Sequence, residues 1–169
     1  VDLHAQIILA GLWHRPAYYG NPTQSAQNIK REVLAVRDNV ALIDVSTLGK
    51  LEVRGKDAAE FMNRMYTFAY AKQAIMRSRY VLMTDEIGIV TDDGVACRMH
   101  ERHFYVTATT GGVDNVFRSM LQWNAKWRLQ VDITNVTSAY AAVNLAGPNS
   151  RKVLEKLCGD IELGAQEFA

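Results

Sequence analysis

The sequence predicts an α+β domain: a largely antiparallel sheet with helices packed to one side. Three observations carry this. Apolar segments of strand length recur as hairpins and meanders rather than as βαβ units; helical periodicities stand between these strand groups; and 49% apolar with 22% charged residues is a globular composition. The most structured stretch runs from Arg79 to Gly112. Its runs Tyr80–Thr84 and Gly88–Met99 flank the polar turn Asp85-Glu86-Ile87-Gly88, and a third run, Phe104–Thr109, follows His100–His103.

The chain's 169 residues suffice for one ordinary domain. Nineteen basic against eighteen acidic residues leave a net charge of +1, without a basic field for nucleic acid or an acidic tail. Cys97 and Cys158 form no disulfide framework and read as two reduced thiols in a cytoplasmic protein. No apolar run reaches the length of a membrane span, and Leu3–Leu12 lacks the context of a signal peptide.

Taken in order, 1–22 reads as an apolar lead-in followed by a breaker-rich aromatic loop, Trp13–Pro22, and 23–169 as the domain proper. A helix is expected over Thr23–Asn39, with Ala26, Ile29, Val33 and Val36 on its inward stripe. Val40–Val45 and Leu48–Val53 read as strands. Gly55-Lys56-Asp57 turns the chain into a helix, where Asp57 and Glu60 have capping-box spacing and Ala58, Phe61, Met62 and Met65 face inward. Tyr66–Ile75 is an irregular connection. After the meander come a periodic helix from Val113 closed by Trp123 and Trp127, a strand pair at Leu129–Val136 and Tyr140–Ala146, and a helix after Gly147-Pro148 with Val153, Leu154 and Leu157 inward and Gly159 as its stop. Asp160–Ala169 tapers off.

The middle strand of the meander carries adjacent carboxylates, Asp92 and Asp93. Strand alternation groups Asp93 with Val95, Cys97 and Met99, and Asp92 with Gly94, Ala96 and Arg98. A carboxylate aligned with the apolar face is costly to bury without a partner, which makes Asp93 the chemical candidate. A bulge or edge position with both carboxylates solvated, or paired to Arg98 or Arg79, is the competing reading. Thr109-Thr110-Gly111-Gly112 joins a strand to a helix N-terminus. It suits an anionic or planar ligand, or simply a tight turn that needs glycine. The four histidines lack metal-ligand spacing, and no phosphate-binding glycine motif occurs.

Residues Arg79-Tyr80, Gly88–Val95, Arg98 and Phe104–Gly112 resemble the folate-binding aminomethyltransferase family, which includes the T-protein of the glycine cleavage system, and Gly11–Tyr19, Asp44–Lys50 and Ala146-Gly147-Pro148 fit its sarcosine oxidase branch. The nearer resemblance is to the C-terminal, T-protein-like region of the α subunit of heterotetrameric sarcosine oxidase, because Ser46-Thr47-Leu48 stands where the T-protein has SHM. The resemblance implies tetrahydrofolate as cofactor and capture of the methylene unit of sarcosine oxidation as 5,10-methylenetetrahydrofolate. It implies Asp93 as the residue acting on the folate amine, with Tyr80, Val95, Thr109 and Leu48 lining the folate site. A carboxylate that accepts the amine proton, or holds its N–H in line, would make that nitrogen a better nucleophile.

The resemblance also implies that the second half of the folate-binding domain, and the flavin and NAD sites of such an enzyme, lie outside this chain. The expected partners are folate and the other subunits of a hetero-oligomeric oxidase, with self-association through the face bearing Asp93, Val95 and Cys97. Other readings are a T-protein-type aminomethyltransferase or demethylase acting on another methylated amine, and a folate-binding or assembly module without catalysis.

Overall fold

The computed structural model describes residues 4–159. The tapering segment expected at Asp160–Ala169 lies outside the described residues. The described residues divide into two compact units, one formed by 4–9, 13–45 and 142–159, the other by 10–12 and 46–141.

The second unit is a five-stranded sheet with two helices on one face. Its strands are β4 (Gly49–Arg54), β5 (Ser78–Thr84), β6 (Val90–His100), β7 (His103–Ala108) and β8 (Asp132–Asn135), in the order β5-β6-β7-β4-β8 with every neighbour antiparallel. The helices are α2 (Ala58–Met65) and α3 (Val113–Trp127). The expected three-stranded meander is therefore β5-β6-β7, extended by β4 and β8. Leu51 and Val53 of β4, Val81 and Met83 of β5, Ala96 of β6, and Phe104, Val106 and Ala108 of β7 form the sheet's buried contribution. Ala58, Phe61, Met62 and Met65 of α2 close on it, as their spacing predicts, together with Val113, Val116 and Met120 of α3. Burying a large apolar side chain stabilises by about 1.5–3 kcal/mol, so this face supplies most of the unit's cohesion.

β6 inverts one expectation. The face that joins the core carries Asp92, Gly94 and Ala96; the face with Asp93, Val95 and Cys97 is half-exposed, and Met99 is exposed. Small residues look weakly hydrophobic in sequence, yet they occupy the places of closest approach. A Cβ on Gly94 would stand 1.9 Å from the Thr107 carbonyl oxygen.

Asp57 does not cap α2. It accepts the backbone N–H of Gln130 at 2.8 Å, tying the turn before α2 to the chain leaving α3. Glu60 pairs instead with Arg64 at 2.7 Å. Tyr66–Ile75 is irregular apart from a 3-10 turn at Tyr70–Lys72, and Gln73 and Arg98 pin it: Gln73 donates to the carbonyls of Arg77 and Ala96, and Arg98 to those of Ala71 and Gln73.

The first unit contains β1 (Ala5–Ala10, its last residue counted with the second unit), β2 (Trp13–Tyr19), α1 (Ser25–Asp38), β3 (Ala41–Asp44), β9 (Val143–Ala146) and α4 (Ser150–Leu157). The lead-in and aromatic loop are thus a two-stranded ribbon, β1-β2. Pro16 is tolerated because every strand of such a ribbon is an edge, and edges have backbone positions that owe no hydrogen bond. α1 meets β2 through polar groups: Glu32 accepts the Tyr19 N–H at 2.7 Å and Arg31 donates to the Tyr19 carbonyl. Asn28 is the buried residue of α1, while Ala26, Ile29 and Val33 of the expected stripe are exposed. β9 pairs antiparallel with β3, and β8 joins the other sheet, so the expected β8-β9 strand pair does not form. In α4 Val153 and Leu154 are half-buried and Leu157 is exposed.

Gly94→Ala should destabilise the chain by about 1–3 kcal/mol, read from its urea midpoint, because the added methyl meets backbone that cannot swing aside. Stability should also fall above pH 10. Burial pushes the Tyr70 phenol from 10.0 up to about 12, against the Arg79 guanidinium, which lowers it. A phenol raised in the folded state contributes stability that is complete below pH 10 and lost as pH climbs towards 12. Tyr70→Phe should flatten that part of the urea-midpoint profile.

Candidate functional site

Adjacent in β6, Asp92 and Asp93 point to opposite faces of the sheet and meet different chemistry. Asp92, only 8% exposed, accepts the Thr109 backbone N–H on Oδ1 at 3.0 Å and the Thr109 hydroxyl on Oδ2 at 2.7 Å. The Thr109 hydroxyl oxygen in turn accepts the Gly112 N–H at 3.1 Å. The strand-to-helix turn that could have received an anionic ligand is thus closed on an anion of the chain's own. It is also why residue 112 is glycine: a Cβ there would lie 1.8 Å from Asp92 Oδ2.

Asp93 is half-buried on the open face and accepts a hydrogen bond from the Tyr80 hydroxyl. The register explains the meeting. Tyr80 stands opposite Val95 and Leu82 opposite Asp93, so Tyr80 and Asp93 are diagonal neighbours, within reach of a long aromatic side chain. That hydrogen bond, followed by partial burial and the Asp93 charge, holds the Tyr80 phenol above its ordinary value, so it stays a neutral donor. Val95 lies beside this pair and gives its N–H to Thr107 Oγ1 at 2.9 Å.

Of the sequence-predicted site residues, the structure brings Asp93, Tyr80 and Val95 together on one face. Leu48 precedes β4, two strands away from β6 in the sheet order. Its carbonyl accepts the Lys50 ammonium at 3.0 Å. Thr109 is exposed, and its hydroxyl proton is committed to Asp92. Sequence reasoning missed the burial of Lys50, which is 1% exposed and donates to the carbonyls of Ser46, Leu48 and Thr137 at 2.7, 3.0 and 3.3 Å. Strand alternation put Lys50 opposite the apolar side chains of β4, and nothing local marks such a lysine as enclosed. It also missed Thr107, an ordinary strand residue until its hydroxyl is seen replacing a ladder bond.

A cleft of about 730 Å³ opens between α2, the β5–β6 turn and α3, lined among others by Tyr66, Asp92 and Gly112. Asp93 is not part of it. The cations on its rim are engaged by the protein, Arg64 over Trp127 and Lys126 over Trp123. Burial, then the Asp92 and Tyr70 charges, push the Tyr66 phenol far up, so it too stays neutral.

Comparison with known proteins decides the family. The whole chain, residues 1–169, matches the GCVT N-terminal domain. The chain belongs to the GCVT N-terminal domain family. It is 43% identical over 161 residues to a sarcosine oxidase α subunit from Corynebacterium sp. (strain U-96), covering 94% of this chain and 17% of that protein. It is 30% identical over 163 residues to a probable aminomethyltransferase from Natronomonas pharaonis, covering 95% of this chain and 43% of that protein. Among solved structures, the glycine cleavage system aminomethyltransferase T from Bartonella henselae shares the fold, with a TM-score of 0.82 at 22% identity over 92% of this chain and 40% of that one. The chain therefore spans less than half the length of these relatives, and the α+β arrangement expected from the sequence is that of the GCVT fold.

Gly112→Ala should cost about 2–3 kcal/mol of stability by displacing the Asp92 carboxylate from its partners. Gly111→Ala, whose added methyl would meet nothing within 4 Å, should be near neutral. Paired thermal melts of the two variants check both.

Proposed function

We propose that this chain is the tetrahydrofolate-binding portion of a sarcosine oxidase α subunit, and that it takes part in capturing the methylene unit of sarcosine oxidation as 5,10-methylenetetrahydrofolate. The observation that carries the reading is the state of the Asp93 carboxylate. Oδ2 accepts the Tyr80 hydroxyl, while among the described residues Oδ1 has no hydrogen-bond partner and neither oxygen is paired with a cation.

Such a group fits an amine ligand. Tetrahydrofolate, when bound, supplies the ring and aryl amine nitrogens that accept the one-carbon unit. A carboxylate with one oxygen fixed by a neutral phenol presents the other to an N–H. It can hold that N–H in line and take its proton as the nitrogen gains its new bond. Being anionic and half-buried, it also stabilises positive charge developing beside it. Tyr80, 62% exposed, and Val95 offer an apolar flank for a planar ring. Thr109 could serve such a ligand only as an acceptor, since its proton goes to Asp92. Leu48 would add apolar contact from the β4 side. The sarcosine oxidase reading is preferred to the aminomethyltransferase one on likeness, 43% against 30% identity over nearly the same stretch.

The test is made in the full-length protein. Asp93→Asn should lower methylene transfer to tetrahydrofolate by about 10²–10⁴-fold. Sarcosine oxidation and the melting midpoint should stay unchanged, with the one-carbon unit escaping into water as formaldehyde. Undiminished transfer by a folded Asp93→Asn enzyme would overturn the assignment. The 169-residue chain alone, offering one wall of the pocket, should bind tetrahydrofolate weakly or not at all in calorimetric titration. Micromolar affinity would mean that its residues form a complete site.

A further inference from the structure

Asp93 lies where the ladder holds β6 on one side only: the register with β5 runs unbroken from Ser78–Cys97 through Leu82–Asp93 to Met83–Asp92. On the other side of β6 the register with β7 ends at Ala96–Val106. The register with β5 shifts between Met83 and Thr84, so that Asp92 faces Met83, Val90 faces Thr84 and Thr91 is left over. Between these points β6 is fastened to β7 by side chains. Thr107 Oγ1 accepts the Val95 N–H, and the Asp92 carboxylate holds the Thr109 N–H and hydroxyl. Since a strand's side chains alternate, a slip or roll of β6 by one residue would exchange the faces of Asp92 and Asp93.

We propose that Asp92 is a positioning residue for Asp93: its two-oxygen grip on Thr109 secures the phase of β6 on the β7 side, where the ladder has ended, so that Asp93 meets Tyr80 on the open face. The inference deepens the proposed function and rests on it for its importance to catalysis, but its geometry is testable without folate. Asp92 itself touches nothing on the open face. It is buried, its carboxylate is packed against Gly112, and both its oxygens are committed to the turn before α3.

The Tyr80 phenol reports where Asp93 is. It is raised chiefly by the hydrogen bond from its hydroxyl to Asp93, so displacing that carboxylate must lower it. The experiment is a pH titration of the chain carrying 13Cζ-tyrosine, with the Tyr80 resonance assigned through Tyr80→Phe and the downward shift calibrated with Asp93→Asn. Asp92→Ala should lower the Tyr80 midpoint by most of the shift seen in Asp93→Asn. Asp92→Asn should leave it near wild type, because the amide oxygen still accepts the Thr109 N–H and the amide N–H can donate to Thr109 Oγ1. Should Asp92→Ala not fold, Thr109→Val removes only the hydroxyl and should give a partial shift, with Thr109→Ser restoring the midpoint. A wild-type Tyr80 midpoint in folded Asp92→Ala, or in folded Thr109→Val, overturns the proposal. If these titrations behave as stated while Asp93→Asn retains methylene transfer, the functional reading fails and the positioning role stands.

Discussion

The interaction on which the site unit depends is the contact of the Asp92 carboxylate with the turn that begins α3. A buried carboxylate left without partners costs several kcal/mol, whereas each charge-assisted hydrogen bond it gains is worth about 1.5–3 kcal/mol. Asp92 reaches its partners only because residue 112 lacks a Cβ and because the Thr109 hydroxyl can donate to the carboxylate while accepting from Gly112. One side chain thereby joins β6 to the end of β7 and the start of α3.

The two faces of the five-stranded sheet consequently have different tasks. One is filled by α2 and α3 against Leu51, Val53, Phe104 and Val106, and it holds the unit together. The other carries Tyr80, Asp93, Val95 and Thr107, with an unspent carboxylate oxygen among polar and aromatic groups. Two aspartates in succession on a strand place one carboxylate on each face. Lys50 adds a further constraint: its buried ammonium gathers carbonyls from either side of β4, so the loop before the strand and the Thr137 turn converge on one cation.

The first unit is built differently. α1 meets β2 through Arg31 and Glu32, and Asn28 donates to the Asn21 carbonyl in the bend that follows β2. Gly20 has φ of +119°, and a Cβ there would press on the Asn28 side chain at 2.9 Å, so the bend after β2 needs glycine for both reasons. Polar anchoring of this kind fixes geometry with little burial of apolar surface, and Ile29 and Val33 remain exposed.

Much of this was legible in the sequence because it is local. Turn residues and alternation give the β5-β6-β7 meander, and a period of 3.6 gives α2 and α3 with their inward residues. The adjacent carboxylates and the Thr-Thr-Gly-Gly turn were also visible as unusual. What the sequence could not decide is which neighbour each group meets. Its alternation separated Asp92 from Asp93 correctly but assigned the core to the wrong face, because Gly94 and Ala96 look weakly apolar until β7 is seen against them. Asp57 matched a capping spacing yet serves Gln130, which lies 73 residues away in the chain. β8 and β9 are consecutive but belong to different sheets. Local pattern fixes the kind of element and its two faces. Which face is buried, and which carboxylate is left with an oxygen to spare, depends on contacts between distant segments that only the folded chain brings together.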